Sequence, residues 1–320
     1  MPRIAVDAMG GDHAPEQIVL GAIDAAKAGH EPVLVGDVDA IEAVLEDSSI
    51  PIVAASEVIE MEDDPARAIR EKKDSSISVA ARLVADGDAD GLVSAGSTGA
   101  ALAAAAFIIG RIDGVSRPAI ASVFPHGEIV LDSGANLSCR SEHLVQFAVM
   151  GAALAEVRNQ RAPARVGLVN IGEEAGKGRD LEKEAYDALT LLEGIDFVGN
   201  IEGRHIAAGI ADVLVTDGFT GNVLLKTAEG AARMSYELVA SALLNGEVTD
   251  IADVLEEARI QLDPEATGGA HLLGTKGVVV IAHGSSSRRA VANAIQMASE
   301  GAKQGLAARI ATGMAAVGAQ

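Results

Sequence analysis

Short, unbroken apolar runs alternate along this chain with longer stretches whose apolar positions recur at helical spacing. The runs predict strands at Ile4–Ala8, Pro32–Val35, Ile52–Ala54, Gly91–Ser94, Ala119–Phe124, Ile129–Leu131, Val166–Val169, Val213–Val215 and Val278–Ala282. The longer stretches predict helices at Glu16–Ala28, Asp39–Leu45, Ile77–Ala85, Gly99–Gly110, His143–Arg158, Leu181–Leu192, Asn222–Leu244 and Arg288–Ala302. One or two more are expected in the alanine-rich tail after Gly305. Strands that are apolar throughout, rather than at alternate positions, are buried on both faces. Their alternation with helices predicts an α/β fold, a mostly parallel sheet covered by helices on both sides. The 320 residues read as a single domain with a helical protrusion at about 235–265.

In sheets of this kind ligands bind beyond the carboxyl ends of the strands, so the strand-to-helix turns carry the chemistry. Six of them are rich in Gly, Ser, Asn and Asp: Gly10–His13, Ser94–Gly99, Asp132–Asn136, Asn170–Gly178, Thr216–Asn222 and His283–Ser287. Together they predict one shared cleft lined with backbone N–H groups, hydroxyls and carboxamides. In the first turn Gly10 and Gly11 let the backbone come close to an anion, Asp12 and His13 add proton chemistry, and Pro15 opens a helix.

Composition narrows the function classes. Hydrophobic residues make up 49% of the chain, but there is no Trp and only 5 Phe and 2 Tyr, so the core is built from Ala, Val, Leu and Ile. Few aromatics and a net charge of −21 argue against nucleic-acid binding. An anionic substrate or an acidic partner must then be met by a local basic patch. The single cysteine, Cys139, excludes an internal disulfide and fits a reducing cytoplasm. No leader pattern precedes the first strand, and no apolar run reaches about 18 residues, the length of a membrane span. A cytoplasmic protein is expected, with weak peripheral membrane association left open.

Each candidate motif has a plain structural reading beside a functional one. Ser97-Thr98-Gly99 stands at a helix start, where it serves as an N-cap or as an anion site. Ser285-Ser286 after His283 has the same two readings, and the imidazole favours a site. Lys72-Lys73, leading into Ser75-Ser76, is either a solvated turn or a phosphate contact. Glu173–Gly178 lacks P-loop spacing, with Arg179 where Ser or Thr belongs, and no GxGxxG follows the first strand. Lys177 between two glycines closes over an anion or belongs to a surface loop. Asp217, Thr220 and Asn222 place an acid, a hydroxyl and an amide in one turn; Phe219 beside them walls an acyl channel or packs in the core. Cys139 has only His143 nearby as a partner for nucleophilic work. No metal-ligand spacing such as HExxH occurs, and no metal is expected.

Taken in order, these motifs resemble those of the phosphate acyltransferases of phospholipid synthesis. Ile4–Pro15 is similar to the family's N-terminal signature, Arg70–Ser76 to its KKDSS segment and Ser94–Ala101 to its AGSTGA turn. Asp132–Asn136 with His143–Gly151, Asn170–Gly178, Gly199–Gly203, Asp217–Gly230 and Gly274–Ser286 resemble its later motifs, so the likeness spans nearly the whole chain. The resemblance implies a Rossmann-like α/β/α sandwich, similar to the isocitrate and isopropylmalate dehydrogenases and to phosphate acetyltransferases, usually a homodimer. It implies an enzyme without cofactor that joins inorganic phosphate to a fatty acyl group taken from acyl-carrier protein. The product, acyl-phosphate, would serve a downstream membrane glycerol-3-phosphate acyltransferase.

Under this reading one anion site holds the nucleophile and another the oxyanion. The candidate contacts are Gly10, Gly11, Lys72, Lys73, Ser75, Ser97, Thr98, Gly99, Asp132, Asn136, Asn170, Thr220, Asn222, Ser285 and Ser286, with Lys177 on the phosphate. His13 or His283 protonates the departing thiolate, while Asp12, Asp132 and Asp217 orient these groups. The chain departs from the family in lacking a proline near Ser141 and in its Thr267–Gly274 turn. Its tip is also short and acidic, with six carboxylates against Arg259 alone between Gly246 and Asp263. That tip fits core or dimer contact better than anionic lipid. The competing classes are a related nicotinamide-dependent dehydrogenase and a non-catalytic scaffold.

Overall fold

The computed structural model describes residues 1–45, 49–124, 126–206, 208–245, 255–256, 260 and 267–317. Among them, eleven strands form one sheet. They are β1 (Arg3–Asp7), β2 (Glu31–Gly36), β3 (Ile52–Ala54), β4 (Gly91–Ser94), β5 (Ala119–Val123), β6 (Ile129–Leu131), β7 (Arg165–Val169), β8 (Asp196–Ile201), β9 (Val213–Val215), β10 (Ala270–Leu273) and β11 (Val278–Ile281). Their order across the sheet is β3-β2-β1-β4-β11-β10-β5-β6-β9-β7-β8. The helices are α1 (Glu16–Lys27), α2 (Val38–Leu45), α3 (Pro65–Glu71), α4 (Ser76–Asp86), α5 (Thr98–Ala104), α6 (Ser141–Asn159), α7 (Asp180–Leu191), α8 (Gly218–Asn245), α9 (Arg288–Lys303) and α10 (Leu306–Val317). A π-helical turn, Ala105–Ile109, continues α5.

The expected α/β class and mostly parallel sheet hold, but the parallel strands come in two blocks that run in opposite directions. Strands β3, β2, β1, β4 and β11 are mutually parallel, as are β6, β9, β7 and β8. Between the blocks, β10 is antiparallel to both β11 and β5, and β5 is antiparallel to β6. The reversal is made by the β5–β6 hairpin, where Phe124 N–H donates to Glu128 O at 2.8 Å and Gly127 takes φ 101°. Three elements were not expected: β8, an edge strand with glycine and asparagine inside it, β10, only four residues long, and α3. The last starts on a readable signal, Asp64 accepting from Arg67 N–H at 2.8 Å with Pro65 at the first helical position.

Side-chain alternation on the strands sorts the core by face. Ile4 and Val6, Val93, Ala119 and Ala121, Leu131, Val215 and Val280 lie in one continuous apolar cluster with residues of α1, α6 and α9. That face is covered from one block to the other. On the opposite face Ala5, Leu92, Ile120, Leu272 and Val279 belong to a cluster with α3, α4 and α5. Val130, Ile201 and Leu214 belong to a separate, smaller one that packs under Leu224, Leu225 and Ala228 of α8. The cover is therefore broken over the central strands, and a groove of about 1060 Å³ lies in the gap.

No helix among the described residues is long and apolar enough to cross a membrane. The second half of α8 is exposed, including Met234 at 57% and Leu238 at 64%. Most of the expected protrusion beyond it, and the acidic tip, lie outside the described residues.

Candidate active site

Strand direction divides the six polar turns. Turns 8–15, 95–97 and 282–287 follow β1, β4 and β11, three neighbouring parallel strands, and so share one edge of the sheet. Turns 132–140, 170–179 and 216–217 follow β6, β7 and β9, which run the other way, and share the opposite edge. The expectation of one cleft lined by all six turns is corrected accordingly. The groove receives Thr98, His283, Ser285 and Ser286 from the first edge and Ser133, Gly134 and Asn222 from the second. Gly10–His13 and Asn170–Gly178 stand outside it.

At the first edge the three turns interlock. Asp12 N–H donates to Gly284 O at 2.8 Å. A Cβ at Gly10 would stand 2.9 Å from Gly96 N, and one at Gly11, whose φ is +114°, would stand 3.1 Å from Gly284 O, so glycine is required at both. Beneath them lies Asp7, 3% exposed. Its Oδ2 accepts from Ser94 Oγ at 2.7 Å, and Ser94 Oγ in turn accepts from Gly96 N–H at 3.1 Å. Asp7 Oδ1 has no hydrogen-bond partner among the described residues. Burial pushes the Asp7 carboxyl above its ordinary range.

The helices that start from these turns are α1, α5 and α9, so three N-terminal ends face this edge; of their first N–H groups, Gln17's donates to His13 O at 3.1 Å and Arg288's to Gln17 Oε1 at 3.0 Å. Ser97 caps α5, accepting from Ala100 N–H at 3.4 Å, and Ser287 caps α9. His13 and His283 are both exposed here. Ser285 N–H donates to His283 Nδ1 at 3.3 Å, and Ser285 Oγ lies 2.9 Å from the same nitrogen. A small polar cleft lined by His13, Gln17 and Ser287 meets the groove at Ser285.

The second edge is more tightly wired. Asp132, fully buried, accepts from the N–H groups of Ile120, Gly134, Ala135 and Asn136 and from Asn136 Nδ2, at 2.7–3.1 Å. Five donors on one carboxylate identify Asp132 as the organiser of its turn; burial still pushes its pKa up. Asp217 accepts from Thr220 N–H at 2.8 Å and Thr220 Oγ1 at 3.1 Å, and is paired with Arg179, which also holds Glu182. Burial raises the Asp217 pKa, but the Thr220 and Arg179 donors outweigh it and the net direction is down. Asn170 donates to Lys177 O at 3.1 Å and to Asn200 Oδ1 at 3.1 Å, pinning its loop. Lys177 itself is exposed, with Glu174 Oε2 3.9 Å from Nζ.

The remaining candidates are placed away from the groove lining. Lys72 Nζ donates to Asp63 Oδ2 at 2.6 Å and Val58 O at 2.9 Å, so its charge is already used. Lys73 is exposed; Ser75 is buried and its hydroxyl donates to Ser78 Oγ at 2.8 Å. Gly99 lets α5 approach α3, since a Cβ there would meet Pro65 Cγ at 2.5 Å. Phe219 is 61% exposed and neither packs in the core nor lines the groove. Burial pushes the Cys139 thiol up to about 11, which keeps it protonated and a poor nucleophile. Asp7 closes the apolar strand β1, and that acid at a strand end is the sequence's only signal of its place beneath the turns.

Residues 2–309 match the family described as fatty acid synthesis protein. A phosphate acyltransferase of Heliobacterium modesticaldum is 47% identical, with 96% of each chain covered. One of Bacillus subtilis is 44% identical, again with 96% of each chain covered. The fold is similar to a phosphotransacetylase from Streptococcus pyogenes, with a TM-score of 0.62 at 19% identity over 94% of each chain. A 4-hydroxythreonine-4-phosphate dehydrogenase from Klebsiella pneumoniae gives a TM-score of 0.55 at 13% identity, covering 94% of this chain and 98% of that one. A large, mostly parallel α/β sheet, similar to that of a phosphotransacetylase, therefore defines the fold class. The chain belongs to the fatty acid synthesis protein family, whose members matched here are phosphate acyltransferases.

Proposed function

We propose that this chain is a phosphate acyltransferase that moves a fatty acyl group from acyl-carrier protein to inorganic phosphate. The observation that carries the reading is the first edge. Three helix N-termini converge there beside two exposed imidazoles, at the mouth of a largely apolar groove. N–H groups and the hydroxyls of Ser97, Thr98, Ser285 and Ser286 suit a phosphate without a lysine, and a preorganised donor array suits the oxyanion of a tetrahedral intermediate. The reaction balances within its substrates. A phosphate oxygen forms the C–O bond, the C–S bond breaks with its electron pair on sulfur, and the proton lost by hydrogen phosphate is taken up by the thiolate.

An imidazole next to both atoms relays that proton. Nδ1 of His283 accepts from Ser285 N–H, so the neutral ring carries its proton on Nε2, turned away from Ser285. His13 stands on the other side of Ser285, and Asp12 anchors the backbone between them. Positioning supplies much of the rate, since phosphate is nucleophilic without activation. The single sheet through the chain supports one catalytic domain over 1–320. In this reading the enzyme is a homodimer in the cytoplasm, its exposed apolar residues on α8 suiting a subunit contact, and its acyl-phosphate serves a membrane glycerol-3-phosphate acyltransferase for phosphatidic acid synthesis. Incubation with acyl-carrier-protein thioester should release carrier thiol only when phosphate is present. Release that ignores phosphate, or none at all with fresh thioester, would sink the reading.

A further inference from the structure

The link between α3 and α4 carries Lys72 and Asp74, and both side chains reach back to the loop that runs into α3. Asp74 holds the base of that loop. Its Oδ2 accepts from Ser56 N–H at 3.0 Å and from Ser56 Oγ at 2.5 Å, and its own N–H donates to Glu57 Oε2 at 3.0 Å. Lys72 holds the far end, with Nζ donating to Val58 O at 2.9 Å and to Asp63 Oδ2 at 2.6 Å. The same Asp63 oxygen accepts from Glu60 N–H at 2.9 Å, so one ammonium and one carboxylate close residues 58–63 into a tied turn. Ile59, buried in the cluster under α3 and α4, pins this turn from inside. The Lys72 and Asp63 side chains are 32% and 31% exposed, and an ion pair so open to water adds little to stability. Its use lies in what it positions.

The tip of the tied turn is Met61, and it lies on the first edge. A Cβ at Gly284 would stand 3.2 Å from Met61 Cε and 3.3 Å from both carboxylate oxygens of Asp12. Gly284 is the residue between His283 and Ser285, and its carbonyl oxygen accepts from Asp12 N–H at 2.8 Å. The turn that carries the imidazole is therefore held twice, by the Asp12 backbone and by the Met61 methyl group. An unbranched thioether fills such a contact without competing for the polar groups around it. We infer that Lys72 is a positioning residue for the reaction. By tying Asp63 to Val58 it keeps Met61 against Gly284, and so fixes the direction of the His283 ring and of Ser285. Its charge is not offered to a substrate. This assignment rests on the acyl-transfer reading given above, with His283 as a proton relay.

The test is steady-state kinetics of the full chain with acyl-carrier-protein thioester and phosphate. Lys72→Met, Asp63→Asn and Met61→Ala should each lower kcat by about fivefold to tenfold and leave the phosphate KM within about twofold. The double variant Lys72→Met, Asp63→Asn should be no worse than either single change, because both break one tie. All three side chains are partly exposed, and a thermal melt of each variant checks that it folds. A lysine in contact with phosphate behaves otherwise: Lys72→Met raises the phosphate KM, and Asp63→Asn, which frees the ammonium, lowers it. That pattern, an additive double variant, or full turnover in Met61→Ala would overturn the assignment. The outcome is separable from that of the reaction itself. If the wild type shows no phosphate-dependent release of thiol, the acyl-transfer reading fails, and the tie is judged by amide hydrogen exchange. Lys72→Met should then speed exchange by about tenfold at the Asp12 and Ser286 amides, which donate to Gly284 O and His283 O. Faster exchange confined to residues 58–63 would reject it.

Discussion

Asp7 is a carboxylate held under the site with one oxygen bonded and the other bare. Ser94 links it to the Gly96 amide, which sets the path of the chain into Ser97 and Thr98. Ser94→Ala removes the hydrogen bond that Asp7 Oδ2 accepts from Ser94 Oγ at 2.7 Å. It should cost about 1–3 kcal/mol in urea unfolding and raise the KM for phosphate more than the KM for thioester. Equal changes in the two KM values would leave Ser94 a purely structural residue. A second buried group predicts acid sensitivity. His271 is 3% exposed, its Nδ1 has no partner among the described residues, and burial, helped by the Arg158 charge, pushes its pKa down to about 3. The unfolded chain, with an ordinary value of about 6.5, binds that proton first. Stability from this site is thus full above about pH 6.5 and is lost as pH falls toward 3. His271→Leu should flatten the fall of unfolding free energy by up to about 1.4 kcal/mol per pH unit in that window, read by urea titration at several pH values.

At the scale of elements, α8 changes character along its length. Its first turn is built into the second edge: Gly218 N–H donates to Asn136 O at 2.8 Å, and a Cβ at Gly221 would run into the carbonyl oxygen of Asp132. Its middle walls the groove, and its later turns stand exposed. Two glycines on the one helix therefore respond in opposite ways. Gly221→Ala should destabilise by about 3 kcal/mol through overpacking, whereas Gly230→Ala, with no atom within 4 Å of the new Cβ, should stabilise by about 0.5–1 kcal/mol. Thermal melts of the two variants decide it; destabilisation by Gly230→Ala would mean that this turn is packed against something.

For the whole molecule the two opposed edges pose the main mechanistic question. With chemistry at the first edge, His283→Gln should lower turnover by about a hundredfold. Lys177→Ala, on the second edge, should leave the phosphate KM within about twofold. Steady-state kinetics against phosphate checks both, and a large rise in phosphate KM for Lys177→Ala would place the nucleophile at the second edge instead. Each edge has the donors for an anion, so only a kinetic split of this kind tells them apart.

Local chemistry was enough to predict most strands, most helices and the polar turns, because continuous apolar runs, N-caps and glycine turns act within a few residues. Ile52–Ala54, Gly91–Ser94, Ile129–Leu131 and Val213–Val215 coincide with their strands. Strand β10 stayed hidden because His271 interrupts four residues between Gly269 and Gly274, and its pairing is with strands far away in sequence. The direction of each strand was also out of reach. The hairpin between Phe124 and Glu128 turns the second block around, and that decides which turns meet. Amino-acid order by itself determined the family, the α/β class and the set of polar turns. Tertiary structure alone decided that the turns fall on two edges, that Lys72 is spent on Asp63, and that an apolar groove opens between the blocks. Edges, ion pairs and gaps in helical cover arise from contacts between segments that are distant along the chain, and no local pattern encodes them.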